Sequence, residues 1–185
     1  MKSTNHLIAL YDASPLQGQF GHKTAASAWR TLAASIAQAG FGVVARVSTG
    51  TITAVLGSVH DERMDAIALS PAASKEEHMQ AFRLPQMPVP TVYTGRGALG
   101  ADVAAHESAD AVVIIGSDDD SLAGILGCIG STKHPIGILT DEEMQPLRDK
   151  VLRHYPHMIH HLCISNDPHT LMHELMSELR RRNFV

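Results

Sequence analysis

Short apolar runs alternate with longer, more polar segments along the whole chain, and this alternation restricts the possible folds more than any other feature. The apolar runs predict seven β-strands: His6–Tyr11, Phe41–Ser48, Met64–Ser70, Thr91–Gly95, Asp110–Gly116, His134–Thr140 and Met158–Ser165. The segments between and after them predict helices: Lys23–Ala39, Gly50–His60, Gly97–Ala109, Asp120–Ser131, Asp141–Tyr155 and Asn166–Arg182. Strands joined by helical crossovers form parallel sheets covered on both faces. We therefore predict an α/β fold, a doubly wound, mostly parallel, Rossmann-like sheet of about seven strands.

Residues with known preferences at helix ends refine these boundaries. Gly40 is expected to end the first long helix, and Asp167 followed by Pro168 is a typical helix start. Pro146 predicts an interruption or bend in the helix around it. The segment Pro71–Pro90, which is rich in proline and polar residues, is predicted to be a long surface excursion with one helical turn.

Composition excludes several classes of protein. The length of 185 residues and the hydrophobic fraction of 44% predict a single domain over residues 1–185 with a sizeable core. The net charge of −4 offers no general attraction for nucleic acid or for an anionic membrane. No apolar stretch approaches the ~20 residues of a membrane span, and the N-terminus lacks a signal-peptide pattern. We expect a cytoplasmic protein.

The stretch VVIIGSDDDSLAGILG, Val112–Gly127, predicts a buried strand, a short loop and a helix. In doubly wound folds such a loop commonly binds phosphate through glycines and backbone N–H groups. Here three carboxylates, Asp118, Asp119 and Asp120, occupy it beside the candidate ligand-binding residues Gly116, Ser117 and Ser121. Glycines let phosphate approach the backbone, whereas aspartates block this approach and repel it. A free phosphate at this loop is therefore not expected.

Three interpretations of the aspartate run remain open. The carboxylates cap the following helix and so fill its anion site themselves. Alternatively, Asp118, Asp119 and Asp120 hold Mg²⁺ or another hard cation that bridges to a phosphorylated ligand. In the third interpretation they bind a cationic or hydroxyl-rich ligand. The sequence does not establish a cofactor, and Mg²⁺ is the one candidate.

Two further loops are candidates for ligand binding. The segment VSTGTIT offers hydroxyl groups and backbone N–H groups at a predicted helix start, from Ser48, Thr49, Gly50, Thr51 and Thr53. The segment YTGRGALG combines two glycines that free the backbone, Gly95 and Gly97, with Arg96. Arginine is suited to forked recognition of phosphate or carboxylate. The alternative for each loop is ordinary helix capping or a solvated arginine.

Four segments, in the same order, resemble the LOG-type ("Lonely-guy", "lysine decarboxylase-like") Rossmann proteins of the SLOG superfamily. VARVSTGTITAVLGSVH is similar to the segment GGGxGIMEAV, with Gly50, Ala54 and Val55 at matching positions. MDAIALSPAASKEE is similar to the strand and loop that follow it. VPTVYTGRGALGADVAAHESADAVVIIG and KHPIGIL are similar to two later segments. The resemblance implies a nucleotide-derived ligand and a homodimer; the superfamily includes phosphoribohydrolases, molybdenum-cofactor carrier-like proteins and nucleotide-sensing domains.

The chain departs from this family where the resemblance implies catalysis. The second motif, GGGxGTxxE, corresponds to GSDDDSLAG, so that Gly124 takes the position of the glutamate. The family's arginine falls near Gly100 or Ala101, and Arg96 a few residues earlier is a possible substitute. In the hydrolases of this family, that arginine and glutamate are implicated in cleaving the N-glycosidic bond.

We therefore hypothesise a LOG-like protein that binds a small ligand, for which a nucleotide derivative is one candidate, and that has lost the phosphoribohydrolase residues, with a non-catalytic or regulatory role. The alternative is a divergent nucleotide or N-glycoside hydrolase, with or without a metal, in which Asp118 and Asp120 are the candidate catalytic residues. Apolar helical segments such as SLAGILGCIG and TLMHELM suit a homodimer. Neither nucleic acid nor membrane is an expected partner.

Overall fold

All seven strands of the sheet are parallel. The computed structural model describes residues 6–13, 22–48, 51–61, 64–129 and 133–182. The strands are β1 Leu7–Asp12, β2 Gly42–Arg46, β3 Ala66–Ser70, β4 Thr91–Tyr93, β5 Ala111–Ile115, β6 Ile136–Leu139 and β7 Leu162–Ser165. They lie in the order β4-β3-β2-β1-β5-β6-β7. The prediction of a doubly wound α/β sheet is confirmed, and the sheet is wholly rather than mostly parallel within the described residues.

Within the described residues, seven α-helices connect and cover these strands. They are α1 His22–Gln38, α2 Thr51–Asp61, α3 Lys75–Gln80, α4 Gly97–Glu107, α5 Asp119–Ile129, α6 Met144–His154 and α7 Pro168–Arg181. One hydrophobic cluster packs α1, α2 and α7 on one face of the sheet, and a second packs α4, α5 and α6 on the other. None of these helices is long and apolar enough to cross a membrane.

The central strands are buried on both faces, which explains their uninterrupted apolar sequences. Every residue of β5, from Ala111 to Ile115, is fully buried, and so are Ile8 and Ala9 of β1. Because neighbouring side chains in a strand point to opposite faces, a strand covered on both sides needs apolar residues at every position. Burial of the strands thus accounts for the pattern from which the fold was predicted.

Two predicted helix ends are found in the structure, one at Gly40 after α1 and one at Asp167 before α7. Gly40 follows α1 with a φ of +81°, a conformation that glycine adopts without strain. The Asp167 carboxylate accepts the Thr170 N–H at 2.7 Å, and Pro168 is the first residue of α7. Both signals are local, so the sequence is sufficient to find them.

Two predicted elements are wrong in detail. The last strand was expected over Met158–Ser165, but Pro156–His160 is a 3-10 helix and only Leu162–Ser165 pairs with β6. Proline fixes φ near the helical value at the start of this turn, and Met158 is buried in it. Pro146 does not interrupt α6, because it lies in the first turn, where an N–H has no partner within the helix.

The excursion between β3 and β4 is less superficial than predicted. It contains the helix α3, and Met87 and Val89 pack into the hydrophobic core. His78 of α3 is also buried, with 2% of its surface exposed. The excursion is therefore an ordered part of the fold.

Candidate functional site

The direction of chain crossover reverses between β1 and β5, and doubly wound folds commonly bind ligands at the carboxyl ends of such a pair of strands. The ends are tied together, since the Ala13 N–H donates to the Ile115 carbonyl at 2.7 Å and the Asp118 N–H donates to the Ala13 carbonyl at 2.8 Å. Gly116 has a φ of +92° and starts the loop to α5. The backbone of this loop therefore uses the Asp118 N–H within the protein instead of offering it to an anion.

Asp118 caps α5. Its Oδ2 accepts the Ser121 N–H at 3.1 Å and the Ser121 hydroxyl at 2.7 Å, while its carbonyl accepts the Leu122 N–H at 2.8 Å. The two hydrogen bonds from Ser121 hold the pKa of the Asp118 carboxyl below its ordinary value. A carboxylate of the protein itself thus occupies the anion-binding position at the N-terminus of α5.

The structure does not bring the three aspartates together. Asp119 forms an ion pair with Lys150 of α6, and Asp120 is exposed on the first turn of α5. Among the residues that the structure describes, no group of three His, Cys, Asp or Glu side chains has a geometry that could hold a metal ion. Of the three interpretations of the run, helix capping is the one that the contacts of Asp118 match.

The two serines beside this run also have partners within the protein. Ser117 is buried, and its hydroxyl accepts a hydrogen bond from the Thr140 hydroxyl at 3.0 Å. Ser121 donates to Asp118, as described above. Both hydroxyls are therefore hydrogen-bonded within the protein.

The loop after β2 is only partly described. Thr49 and Gly50 lie outside the described residues, as does the side chain of Thr51, the first residue of α2. The Thr53 hydroxyl donates to the Ser48 carbonyl, which closes the loop at the start of α2. The candidate residues Ser48 and Thr53 are therefore adjacent at the carboxyl end of β2.

The turn between β4 and α4 presents an exposed arginine between two glycines. Gly95 and Gly97 have φ values of +62° and +68°, and Arg96 is exposed. No side chain caps the N-terminus of α4, in contrast to α5. An uncapped helix N-terminus beside an arginine favours a negatively charged group.

Gly100 gives Arg96 the space that it occupies. A Cβ atom added to Gly100 would lie 2.4 Å from the Arg96 Cβ, so the arginine stem crosses the first turn of α4 directly over this glycine. The sequence comparison had placed the family's missing arginine near Gly100 or Ala101. Arg96 lies next to this position in space, as expected for residues four apart at the start of a helix.

A partly buried ion pair links α4 to the end of β2. The Arg46 Nε lies 2.7 Å from the Asp102 Oδ1, and the Tyr11 hydroxyl donates to the Asp102 carbonyl at 2.6 Å. Burial raises the pKa of Asp102 above its ordinary value, although Arg46 opposes this rise, and burial also raises the pKa of Tyr11. Because Arg46 ends β2, the pair brings the second turn of α4 to the strand that leads into Ser48. Sequence reasoning missed all three residues; the arginine that ends the apolar run GVVAR was the available signal.

Charge is unevenly distributed along the carboxyl edge of the sheet. Arg46 ends β2, where it pairs with Asp102, and Arg96 follows β4 on one half, whereas the run Asp118–Asp120 follows β5 on the other. Further along that acidic half lies an open cleft of about 540 Å³. Its lining comes from the loop after β6, the first turn of α6 and the loop after β7: Asp141, Glu142, Glu143, Met144, Gln145, Pro146 and Asn166. On the β2–β4 half the exposed Arg96 favours an anion, while Glu76 and Glu77 in the first turn of α3 follow β3 on the same half.

Comparison with known proteins supports the fold. No protein-family model matches the sequence, and no curated protein matches it either. A solved structure of the molybdenum cofactor binding protein from Rippkaea orientalis is similar, with 14% identity over 97% of this chain and 98% of that one and a TM-score of 0.67. The molybdenum cofactor carrier protein from Chlamydomonas reinhardtii has 14% identity over 95% and 99% of the two chains and a TM-score of 0.70. DNA processing protein A from Helicobacter pylori has 12% identity over 95% and 82% and a TM-score of 0.60. At these identities the shared property is the Rossmann-like architecture.

Proposed function

We propose that this protein binds a small molecule that carries an anionic group, at the carboxyl edge of the sheet over β2–β4. The anionic group lies against Arg96 and the N-terminus of α4, and the Ser48–Thr53 loop contacts the rest of the ligand. The Arg46–Asp102 pair supports this arrangement because it joins α4 to the end of β2. The ligand is of the nucleotide-derived class that the sequence resemblance implies.

One contrast between two helix starts carries the proposal. The N-terminus of α5 is already neutralised by Asp118, whereas that of α4 has no side-chain cap and lies beside an exposed arginine. Partial positive charge at a helix N-terminus and a guanidinium group both favour phosphate or carboxylate. An anionic ligand therefore binds with less repulsion at α4 than at the usual phosphate loop before α5.

The similar folds agree with binding rather than bond cleavage. Two of them are named as molybdenum cofactor binding or carrier proteins. In this chain, Gly124 stands where the resemblance would place a catalytic glutamate, and it lies exposed on α5 with nothing within 4 Å of an added Cβ. We therefore propose a non-catalytic role, as a carrier or as a regulatory subunit.

Thermal-shift and calorimetric titration with inorganic phosphate, adenosine monophosphate and ribose 5-phosphate tests the proposal, each with and without Mg²⁺. A ligand at 100 times its Kd stabilises the fold by about 2.7 kcal/mol. Arg96→Ala should weaken binding by about tenfold or more, because a charge-assisted hydrogen bond contributes about 1.5–3 kcal/mol. Arg153→Ala, which removes an exposed arginine from α6, is the matched control. Equal affinities in the Arg96 and Arg153 variants would refute the proposal.

A second candidate function is a metal-dependent hydrolase that uses the aspartate run. The observation in its favour is the exposed carboxylate of Asp120, which is not the residue that caps α5. Release of adenine from adenosine monophosphate in the presence of Mg²⁺, abolished by Asp120→Asn, would establish this activity. Binding that needs no Mg²⁺ and yields no adenine would favour the carrier role.

A further inference from the structure

A buried histidine and serine lie beneath the turn that carries Arg96. Ser70, the last residue of β3, is fully buried, and His78 of α3 is 2% exposed. The Ser70 Oγ lies 2.8 Å from the His78 Nδ1, and the His78 Nε2 lies 2.9 Å from the Pro85 carbonyl oxygen. The Tyr93 ring packs against the His78 ring at a centroid distance of 5.9 Å. This pair is not exposed to a ligand.

Hydrogen-bonding capacity assigns the protons in this pair. The Pro85 carbonyl only accepts, so the His78 Nε2 carries a proton and the neutral Nδ1 accepts from the Ser70 hydroxyl. The Ser70 Oγ in turn accepts the Ala72 N–H at 3.1 Å. Every polar atom of the pair is thus satisfied with His78 neutral, and the pair holds Ala72 and Pro85 at opposite ends of the excursion.

The backbone next to Ser70 holds the arginine turn. The Ala72 carbonyl accepts the Gly95 N–H at 2.9 Å, and the Pro71 carbonyl accepts the Gly97 N–H at 3.1 Å. The Ser70 carbonyl accepts both the N–H and the hydroxyl of Thr94, at 3.0 and 2.8 Å. The Ser70 hydroxyl, the backbone of Pro71 and Ala72, and their hydrogen bonds therefore connect His78 to both residues that flank Arg96.

We infer that His78, acting through Ser70, is a positioning residue for the Gly95–Arg96–Gly97 turn. The inference rests on the proposed function for its meaning, because this turn is the proposed anion site. Two glycines with positive φ give the turn alternative conformations, and the bonds to Pro71 and Ala72 select the one that starts α4. The histidine sets the geometry of the anion site without touching the ligand.

Backbone amide hydrogen exchange of three variants tests the inference. In Ser70→Ala, exchange of the Gly95 and Gly97 amides should accelerate about tenfold or more relative to the Val113 amide of β5. Ser35→Ala is the matched control, since the buried Ser35 also bonds a histidine at 2.8 Å, His169, but this bond joins α1 to α7. His78→Gln provides a second variant should Ser70→Ala fail to fold. Acceleration at Gly95 and Gly97 in the Ser70 or His78 variant alone supports the inference, and an equal response to Ser35→Ala overturns it.

Titration with inorganic phosphate separates this inference from the proposed function. Where the wild type binds phosphate, Ser70→Ala should raise the Kd about fivefold to tenfold and Ser35→Ala should leave it unchanged. An unchanged Kd in Ser70→Ala would overturn the positioning role. Absence of phosphate binding by the wild type would reject the proposed anion site, and the exchange comparison would still decide whether His78 and Ser70 hold the turn.

Discussion

At the residue scale, two aspartates near the carboxyl edge have opposite electrostatic surroundings. Asp118 accepts two hydrogen bonds from Ser121 at a helix N-terminus, which favours its ionised form. Asp102, in the second turn of α4, is partly buried, and the loss of hydration disfavours its ionised form more than Arg46 favours it. The same residue type therefore contributes to stability with opposite pH dependence at the two positions.

Asp118→Asn should reduce the pH dependence of stability on the acid side. The folded-state pKa of Asp118 is below its ordinary value of 3.8, so its contribution is complete above that pH and is lost as the pH falls through the folded pKa. Urea unfolding from pH 7 down to pH 3 should show a stability difference between wild type and variant that shrinks on acidification. A stability difference that stays constant over this pH range would contradict the capping role.

Asp102→Asn should show the reverse dependence. The folded-state pKa of Asp102 is above 3.8, so its contribution is present below that value and is lost as the pH rises through the folded pKa. The stability of the variant relative to wild type should therefore improve between about pH 4 and pH 7, measured by the same urea unfolding. A difference that stays constant over this range would show that burial does not perturb this carboxyl.

At the element scale, the starts of α4 and α5 show how short sequences decide what a helix end can bind. In α5, an aspartate at the cap position supplies the anion from within the chain. At the start of α4, Gly95 and Gly97 allow the positive φ values of the turn, and Gly100 leaves room for the Arg96 side chain. Substituting these glycines has different consequences according to the conformation and the space at each position.

Gly124→Ala should stabilise the protein by about 0.5–1 kcal/mol, because alanine is the better helix former and nothing lies within 4 Å of the added Cβ. Gly95→Ala is the informative contrast: φ is +62° and the new Cβ would lie 3.2 Å from the Ala73 Cβ. We expect it to destabilise by about 1 kcal/mol or more. Chemical denaturation of both variants measures the two effects, and effects of the same sign would contradict this account.

At the scale of the whole molecule, the apolar helices serve the monomer core. The homodimer expected from the sequence relied on apolar residues in the helices α5 and α7. Most of their large apolar side chains are buried within this chain, and Ile125 and Met176 are partly buried; the buried ones are Leu122, Leu126, Ile129, Leu171, Met172, Leu175 and Leu179. Because these side chains are buried within the monomer, they do not support a dimer interface, and the dimer stays a prediction.

The distribution of charge predicts weak interaction with nucleic acid, although one similar fold belongs to a protein described as binding single-stranded DNA. Nucleic-acid affinity depends on lysines and arginines that neutralise phosphates. This chain has a net charge of −4, and acidic residues follow β5 and β6 at the carboxyl edge of the sheet. Fluorescence anisotropy with a labelled single-stranded oligonucleotide at ~0.15 M salt should detect no complex. Micromolar binding would contradict this prediction.

The candidate site was predictable only in part. The arginine turn and the aspartate run stood out in the sequence because glycine, arginine and aspartate have strong local preferences. Arg46, Asp102, Ser70 and His78 did not, since each acquires its role from a partner on another element. Ser117 and Ser121 were included for their hydroxyl groups, and only the structure shows that both hydroxyls bond within the protein.

The sequence by itself determined the number of strands, their parallel arrangement and the ends of helices such as α1 and α7. These depend on apolar periodicity and on capping, which operate over a few residues. The tertiary structure alone decided which distant residues pair beside the helix starts at the carboxyl edge. Such pairs include Arg46 with Asp102 and Asp119 with Lys150. They form only after folding has brought α4 to β2 and α5 to α6, so they cannot be predicted from residues that are close in sequence.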